Sequence, residues 1–228
     1  MIKIKRPVCM ILTLLALTGT TGYGADHPID LHRPTIEEFF QQSTRGFTDT
    51  QGHWAEQAIY EAVDLGYVSG TSDTLFSPEL PMTRAMLVTM LYRMAGSPSI
   101  VVSNPFTDVP RGSWYEKPVL WTVEKGISYG QTETLFGVNG SASRETIVTM
   151  LYRYARNMGY DVGDYSDTTQ FTDSGEISPA SKAAVSWALA NQLISGKENR
   201  RLDPKGTATR AEVVAIVIRF LHLQEEQK

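Results

Sequence analysis

Three segments of this chain are copies of one another, and that repetition limits the fold more than any other property. Each copy opens Phe-Thr-Asp, at residues 47–49, 106–108 and 171–173. After a short variable stretch the copies align without gaps over 35 residues, at 59–93, 119–153 and 185–219. The first two windows share 13 identities, including Gly66/Gly126, Gly70/Gly130, Phe76/Phe136, Arg84/Arg144 and the run from Val88 to Arg93. Average composition would give roughly two by chance. The third copy keeps Gly196, Thr209, Arg210, Val214 and Arg219 in register.

Each copy reads as helix, turn, helix. In copy 1, Trp54, Ala58, Ile59, Ala62 and Val63 fall on one face at helical spacing, and Gly66 suits a C-terminal cap. In copy 2, Ser113 with Glu116 resembles a capping box, although Pro118 would equally suit the first helical position. A turn follows, carrying Gly70 and Phe76-Ser77-Pro78 (Leu202-Asp203-Pro204 in copy 3). The second helices begin at Thr83, Ser143 and Thr209, and in copy 1 Leu87, Val88, Met90, Leu91 and Met94 form a wide apolar surface before Gly96. Two helices in about 50 residues cannot bury a sufficient core alone. The expectation is an all-α protein of three modules, 47–96, 106–157 and 171–223, packed as one body with linkers at 97–105 and 157–170.

The first 24 residues have a secretory pattern: Lys3, Lys5 and Arg6, then an apolar run from Val8 to Leu17, then small polar residues with Gly22 and Gly24 at cleavage-site spacing. The run is shorter than the ~20 residues a membrane span needs. Its removal leaves 18 Lys+Arg against 25 Asp+Glu and no cysteine, so apolar packing rather than disulfides must hold the exported chain. A net acidic chain excludes a non-specific nucleic-acid binder. Residues 25–46 precede the repeats, and Thr35 with Glu38 suggests a short capped helix there.

The start of the second helix is the most informative position. Thr209-Arg210-Ala211-Glu212 is a capping box, whereas Met86 and Thr146 replace the glutamate in the other copies. All three keep an arginine at the first helical position, Arg84, Arg144 and Arg210, where a cation opposes the helix dipole. Free backbone N–H groups beside a guanidinium would hold a carboxylate or phosphate, in bidentate fashion. Alternatively, each arginine pairs with an acidic residue such as the Asp of Phe-Thr-Asp. Trp54 and Trp114 are equivalent, with Ala180 in the third copy; they either pack in the core or stack on a sugar beside a groove. Phe47, Phe106 and Phe171 read as packing residues, and Asp49, Asp108 and Asp173 as turn or cap residues. Arg93, Arg153 and Arg219, late in their helices, are accounted for by the dipole. His27, His32, His53 and His222 do not recur between copies, no acidic pair stands out, and neither catalysis nor a cofactor is expected.

This combination of Phe-Thr-Asp, Trp, an Ile/Val helix, Gly, Ser-Gly, Phe-x-Pro and Thr-Arg-Ala-Glu resembles the S-layer homology (SLH) module, which usually occurs in threes. The resemblance spans residues 47–223. It implies a pseudo-threefold helical spindle that attaches exported proteins to the bacterial cell wall without catalysis. Grooves between modules would bind a peptidoglycan-linked secondary cell-wall polysaccharide, commonly bearing ketal-pyruvate. On the matching positions, Arg84, Arg144 and Arg210 would meet the anionic sugar, with Trp54 and Trp114 as the aromatics. Ser69-Gly70, Tyr129-Gly130 and Ser195-Gly196 would form the small-residue turns. The sequence departs from the pattern at Met86, Thr146, Ala180 and Gln192. Other candidate partners are peptidoglycan itself and a separate surface protein. Family members usually carry a cargo domain, and residues 25–46 and 224–228 are too few to supply one.

Overall fold

A computed structural model describes residues 46–226. The secretory segment expected over 1–24 and the capped helix expected at Thr35–Glu38 lie outside the described residues. Within them are six α-helices: α1 Glu56–Asp64, α2 Arg84–Met94, α3 Glu116–Glu124, α4 Arg144–Asn157, α5 Lys182–Ala190 and α6 Arg210–Glu226. No β-strand occurs among the described residues, which carry only isolated bridges.

The helices do not pair within a copy. Instead α2 packs on α3, α4 on α5 and α6 on α1, so the second helix of each module buries the first helix of the next, and the cycle closes. At its centre three backbone amides follow the same rotation. Met82 N–H donates to the Ala208 carbonyl at 3.0 Å, Ala208 to Ala142 at 3.3 Å, and Ala142 to Met82 at 2.8 Å. All three residues are buried. This ring gives the pseudo-threefold arrangement a non-local origin: each hydrogen bond joins different modules.

Sequence explains the seams. In two of them an edge-on aromatic pair fills the gap, Tyr92 with Trp121 at 5.7 Å and Tyr152 with Trp187 at 5.5 Å between ring centres. The positions equivalent to these pairs at the third seam hold Glu61 and Ile218, and Glu61 instead meets His222 at 2.8 Å. Apolar burial across all three seams forms one continuous core.

Within each module the opening aspartate ties the start of the copy to its turn. Asp49 accepts from the amides of Phe76 and Ser77, Asp108 from Phe136, Gly137 and Val138, and Asp173 from Leu202 and Asp203. These are turn-fixing roles. The glycine of each small-residue turn is there because the opening phenylalanine crosses it. A Cβ on Gly70 would stand 2.3 Å from Phe47 Cε1 and 2.5 Å from the Ser72 carbonyl, and Gly130 and Gly196 meet Phe106 and Phe171 likewise. Replacing Gly70 by alanine is therefore expected to lower stability by about 1–3 kcal/mol through overpacking, read as a reduced denaturant midpoint.

Two details differ from the sequence reading. Helix α1 begins at Glu56, so Trp54 lies in the preceding turn rather than on the helix face with Ile59. In copy 2 the helix begins at Glu116, two residues before Pro118. The Glu116 carboxylate reaches back to Gly112 N–H at 2.7 Å, as Glu56 does to Gly52 at 2.9 Å, and Ser113 makes no side-chain cap.

Candidate functional site

Each second helix starts with its hydroxyl cap in place: Thr83, Ser143 and Thr209 accept from the amides of Met86, Thr146 and Glu212. Only Thr209 and Glu212 complete a reciprocal capping box, the carboxylate accepting from Thr209 N–H at 2.9 Å. The first two helical amides are also taken. Arg84 and Ala85 donate to Gly140 and Val138, Arg144 and Glu145 to Gly206 and Pro204, and Arg210 and Ala211 to Leu80 and Pro78. The expected anion site built on free helix amides is thereby overturned, because carbonyls of the neighbouring module satisfy the donors that an isolated helix leaves open.

The three arginines follow the same path into the neighbouring module. Arg210 donates through Nε to the Phe76 carbonyl at 3.0 Å and through Nη2 to Ser69 at 2.8 Å, with its guanidinium 4.4 Å from the Phe76 ring centre. Arg84 repeats this on Phe136 at 3.2 Å and Tyr129 at 2.7 Å. Arg144 does so on Leu202 at 2.9 Å and Ser195 at 3.2 Å. Burial pushes the Arg84 and Arg210 guanidinium groups down from their ordinary value, opposed by Asp108 and Asp49 respectively. Arginine starts high enough to keep its charge regardless. Two edges of each fork are thus spent on carbonyls, and the bidentate grip expected from sequence gives way to a single remaining Nη1 edge. Pairing with the Phe-Thr-Asp carboxylates does not occur. Among the described ion pairs the only one of these arginines represented is Arg144, whose Nη1 lies 3.8 Å from Glu212.

Open hollows lie beside two of the arginines. One of about 490 Å³ is lined by Arg210 together with Tyr67, Ser69, Gly70, Met86, Thr89, Arg93 and Trp114. The other, about 170 Å³, is lined by Arg144 with Trp54, Ser195, Glu212 and Arg219. Each hollow draws on all three modules. Trp54 and Trp114 are 62% and 59% exposed, so the core reading of these indoles is overturned. The tryptophans that are core are Trp121 and Trp187. Gly130 and Gly196 are brought to the equivalent turns, where packing against phenylalanine accounts for them.

Sequence reasoning missed the second cation in each of these two hollows. Arg93 and Arg219 line the hollows while donating to the carbonyls of Tyr67 and Leu193, and Arg153 does the same to Ile127. Their recurrence in register was the available signal. Among the described residues no cluster of side chains could hold a metal ion, and no helix is long and apolar enough to cross a membrane.

Three two-helix repeats closed into a ring, with arginine-lined hollows where modules meet, define a closed helical repeat protein. Residues 46–85, 105–147 and 170–214 match the S-layer homology domain, and the chain belongs to that family. SLH domains are wall-anchoring modules of surface-layer and other cell-surface proteins. The chain is 26% identical over 171 residues to the surface-layer 125 kDa protein of Lysinibacillus sphaericus, covering 74% of this chain and 14% of that protein. It is 27% identical over 165 residues to S-layer protein sap of Bacillus anthracis, covering 72% and 20%. It is also 29% identical over 175 residues to an amylopullulanase of Thermoanaerobacterium thermosulfurigenes, covering 77% and 9%. The chain thus spans a fifth or less of these relatives. What the enzyme and the surface-layer proteins share with it is the SLH region, a non-catalytic module.

Proposed function

We propose that this protein is exported and attaches without catalysis to the bacterial cell wall, by binding a peptidoglycan-linked, anionic and pyruvylated secondary polysaccharide in the grooves between its modules. The modules are those at 47–96, 106–157 and 171–223, and residues 1–24 serve as a cleaved export signal. Arg84, Arg144 and Arg210 meet the acidic groups. Trp54 and Trp114 stack on sugar faces, and the turns at Ser69-Gly70, Gly130 and Ser195-Gly196 present backbone polar groups to the glycan.

One observation carries the reading: beside Arg210, an exposed indole from the second module converges with arginines from the first and third on one hollow. An indole offers an apolar face for the flat side of a sugar, and a partly desolvated guanidinium holds its acidic substituent. Because the exported chain is net acidic, affinity depends on these local cations rather than on overall charge. Weak contacts along a repeating polymer then add through avidity.

Co-sedimentation with purified walls tests the proposal, before and after mild acid removal of the secondary polymer. Binding is expected to untreated walls and to be lost after stripping; binding that survives points to peptidoglycan or a protein partner. Trp114→Ala should weaken sedimentation while leaving the melting temperature nearly unchanged, since exposed positions cost within about 0.5 kcal/mol. Arg210→Ala should weaken it too, and also cost about 1–3 kcal/mol of stability by leaving two carbonyls without their donor.

A further inference from the structure

The three grooves differ, and we propose that the one beside Arg210 is the single subsite for the acidic sugar, with Met86 the residue that sets its specificity. This rests on the wall-polymer reading above and narrows it. The third residue of the second helix varies, Met86, Thr146 and Glu212, and in two grooves it reaches the Nη1 edge of the arginine from the preceding module in the ring, Met86 at Arg210 and Glu212 at Arg144.

In the groove beside Arg144 the edge is already matched. Glu212 Oε1 lies 3.8 Å from Arg144 Nη1, so a fixed internal anion stands where the ligand carboxylate would go. The hollow there is about 170 Å³, below the roughly 300 Å³ at which small-ligand sites begin. In the groove of Arg84, Tyr129 replaces the serine of the other turns, and the Arg153 guanidinium lies 5.1 Å from its ring centre. The second cation is therefore covered by an aromatic face. Ala180 also removes the tryptophan from that groove.

Only beside Arg210 do the favourable features coincide among the described residues. No carboxylate lines the hollow, its volume is about 490 Å³, and both Arg93 and Trp114 border it. Arg210 Nη1 lies 3.6 Å from Met86 Sδ, which puts a polarisable apolar group directly beside the cation. A pyruvate ketal carries a carboxylate and a methyl on one carbon. It matches this pair, carboxylate to guanidinium and methyl to thioether, whereas a phosphate group would leave the thioether unused.

Titration calorimetry of the full chain with a methyl glycoside bearing a pyruvate ketal tests the assignment. Wild type is expected to bind one sugar per chain, and a phosphorylated glycoside to bind at least about tenfold more weakly. Met86→Glu should weaken ketal binding at least about tenfold, since like charge meets the ligand. It should do so without lowering the melting temperature, because glutamate three residues after Thr83 restores a capping box. Glu212→Met should reveal a second, weaker binding event beside Arg144. Two or three equal sites in wild type, undiminished affinity in folded Met86→Glu, or a single site in folded Glu212→Met would each overturn the assignment. Walls that still sediment the chain when the ketal sugar gives no heat overturn this inference but leave wall attachment standing. Failure to sediment at all sinks wall attachment itself.

Discussion

Ending the chain at residue 169, before the third Phe-Thr-Asp, is expected to abolish the cooperative unfolding transition instead of merely lowering it. In an open stack, loss of a terminal repeat removes one neighbour interface and leaves the rest folded. Here α5 and α6 take part in two of the three helix seams, α4 with α5 and α6 with α1. Their removal also opens the central amide ring at Ala208, and leaves Arg144 without the Leu202 and Ser195 carbonyls. Tyr152 would lose Trp187, and the buried faces of α1 and α4 would meet water. Circular dichroism of the shortened chain should show a shallow, non-sigmoidal melt, with strong binding of a hydrophobic dye. A sharp two-state transition in that chain would mean that modules fold pairwise and that closure is incidental.

Asp108→Ala is expected to cost about 3 kcal/mol or more, because three amides lose their shared acceptor at once, each leaving a desolvated donor worth about 1–3 kcal/mol. The same carboxylates make stability depend on acidity. Burial pushes the Asp108 carboxyl up, but the amides of Phe136, Val138 and Gly137 outweigh it and hold the group below its ordinary value. Asp173 is lowered likewise, burial being outweighed by the amides of Leu202 and Asp203. A carboxylate depressed in the folded state contributes fully above its unfolded value of about 3.9 and loses that contribution as pH falls through the folded value. The melting temperature should therefore hold level from neutral pH to about 5 and drop steeply below about 4. In Asp108→Ala the drop should be shallower, since one of the groups that must take up a proton is gone.

The modular plan was legible because it is written in local terms: recurring residues, hydroxyl caps at Thr83, Ser143 and Thr209, and left-handed ends at Gly66 and Gly126, whose role Gln192 takes with φ of 54°. The closure was not, because no local pattern says that α6 packs on α1 or that Met82, Ala142 and Ala208 exchange amides. For the same reason the helix starts looked free. Their acceptors, such as Gly140 for Arg84 and Leu80 for Arg210, lie on another copy and far along the chain. Trp54 was misplaced because its spacing to Ala58 continues the helical period, yet the helix begins only at Glu56 and the indole turns outward. Arg93 and Arg219 had a sufficient local explanation in the helix dipole, which hid their position at the walls of the hollows. Arg84, Arg144 and Arg210 are legible as the shared feature, but which of their edges stay open depends on carbonyls supplied from the adjoining turn.

Each hollow has walls from three different modules, so an occupant bridges the whole ring. Such an occupant favours the closed ring over every opened form, and its affinity adds to the resistance to unfolding by mass action. If the occupant is the proposed wall glycan, an engaged copy would be cross-tied and hard to digest, while a copy shed into the medium would lack the tie and fall first to proteases. Attachment and durability would then be the same event, and a surface coat built on such anchors would clear its own strays.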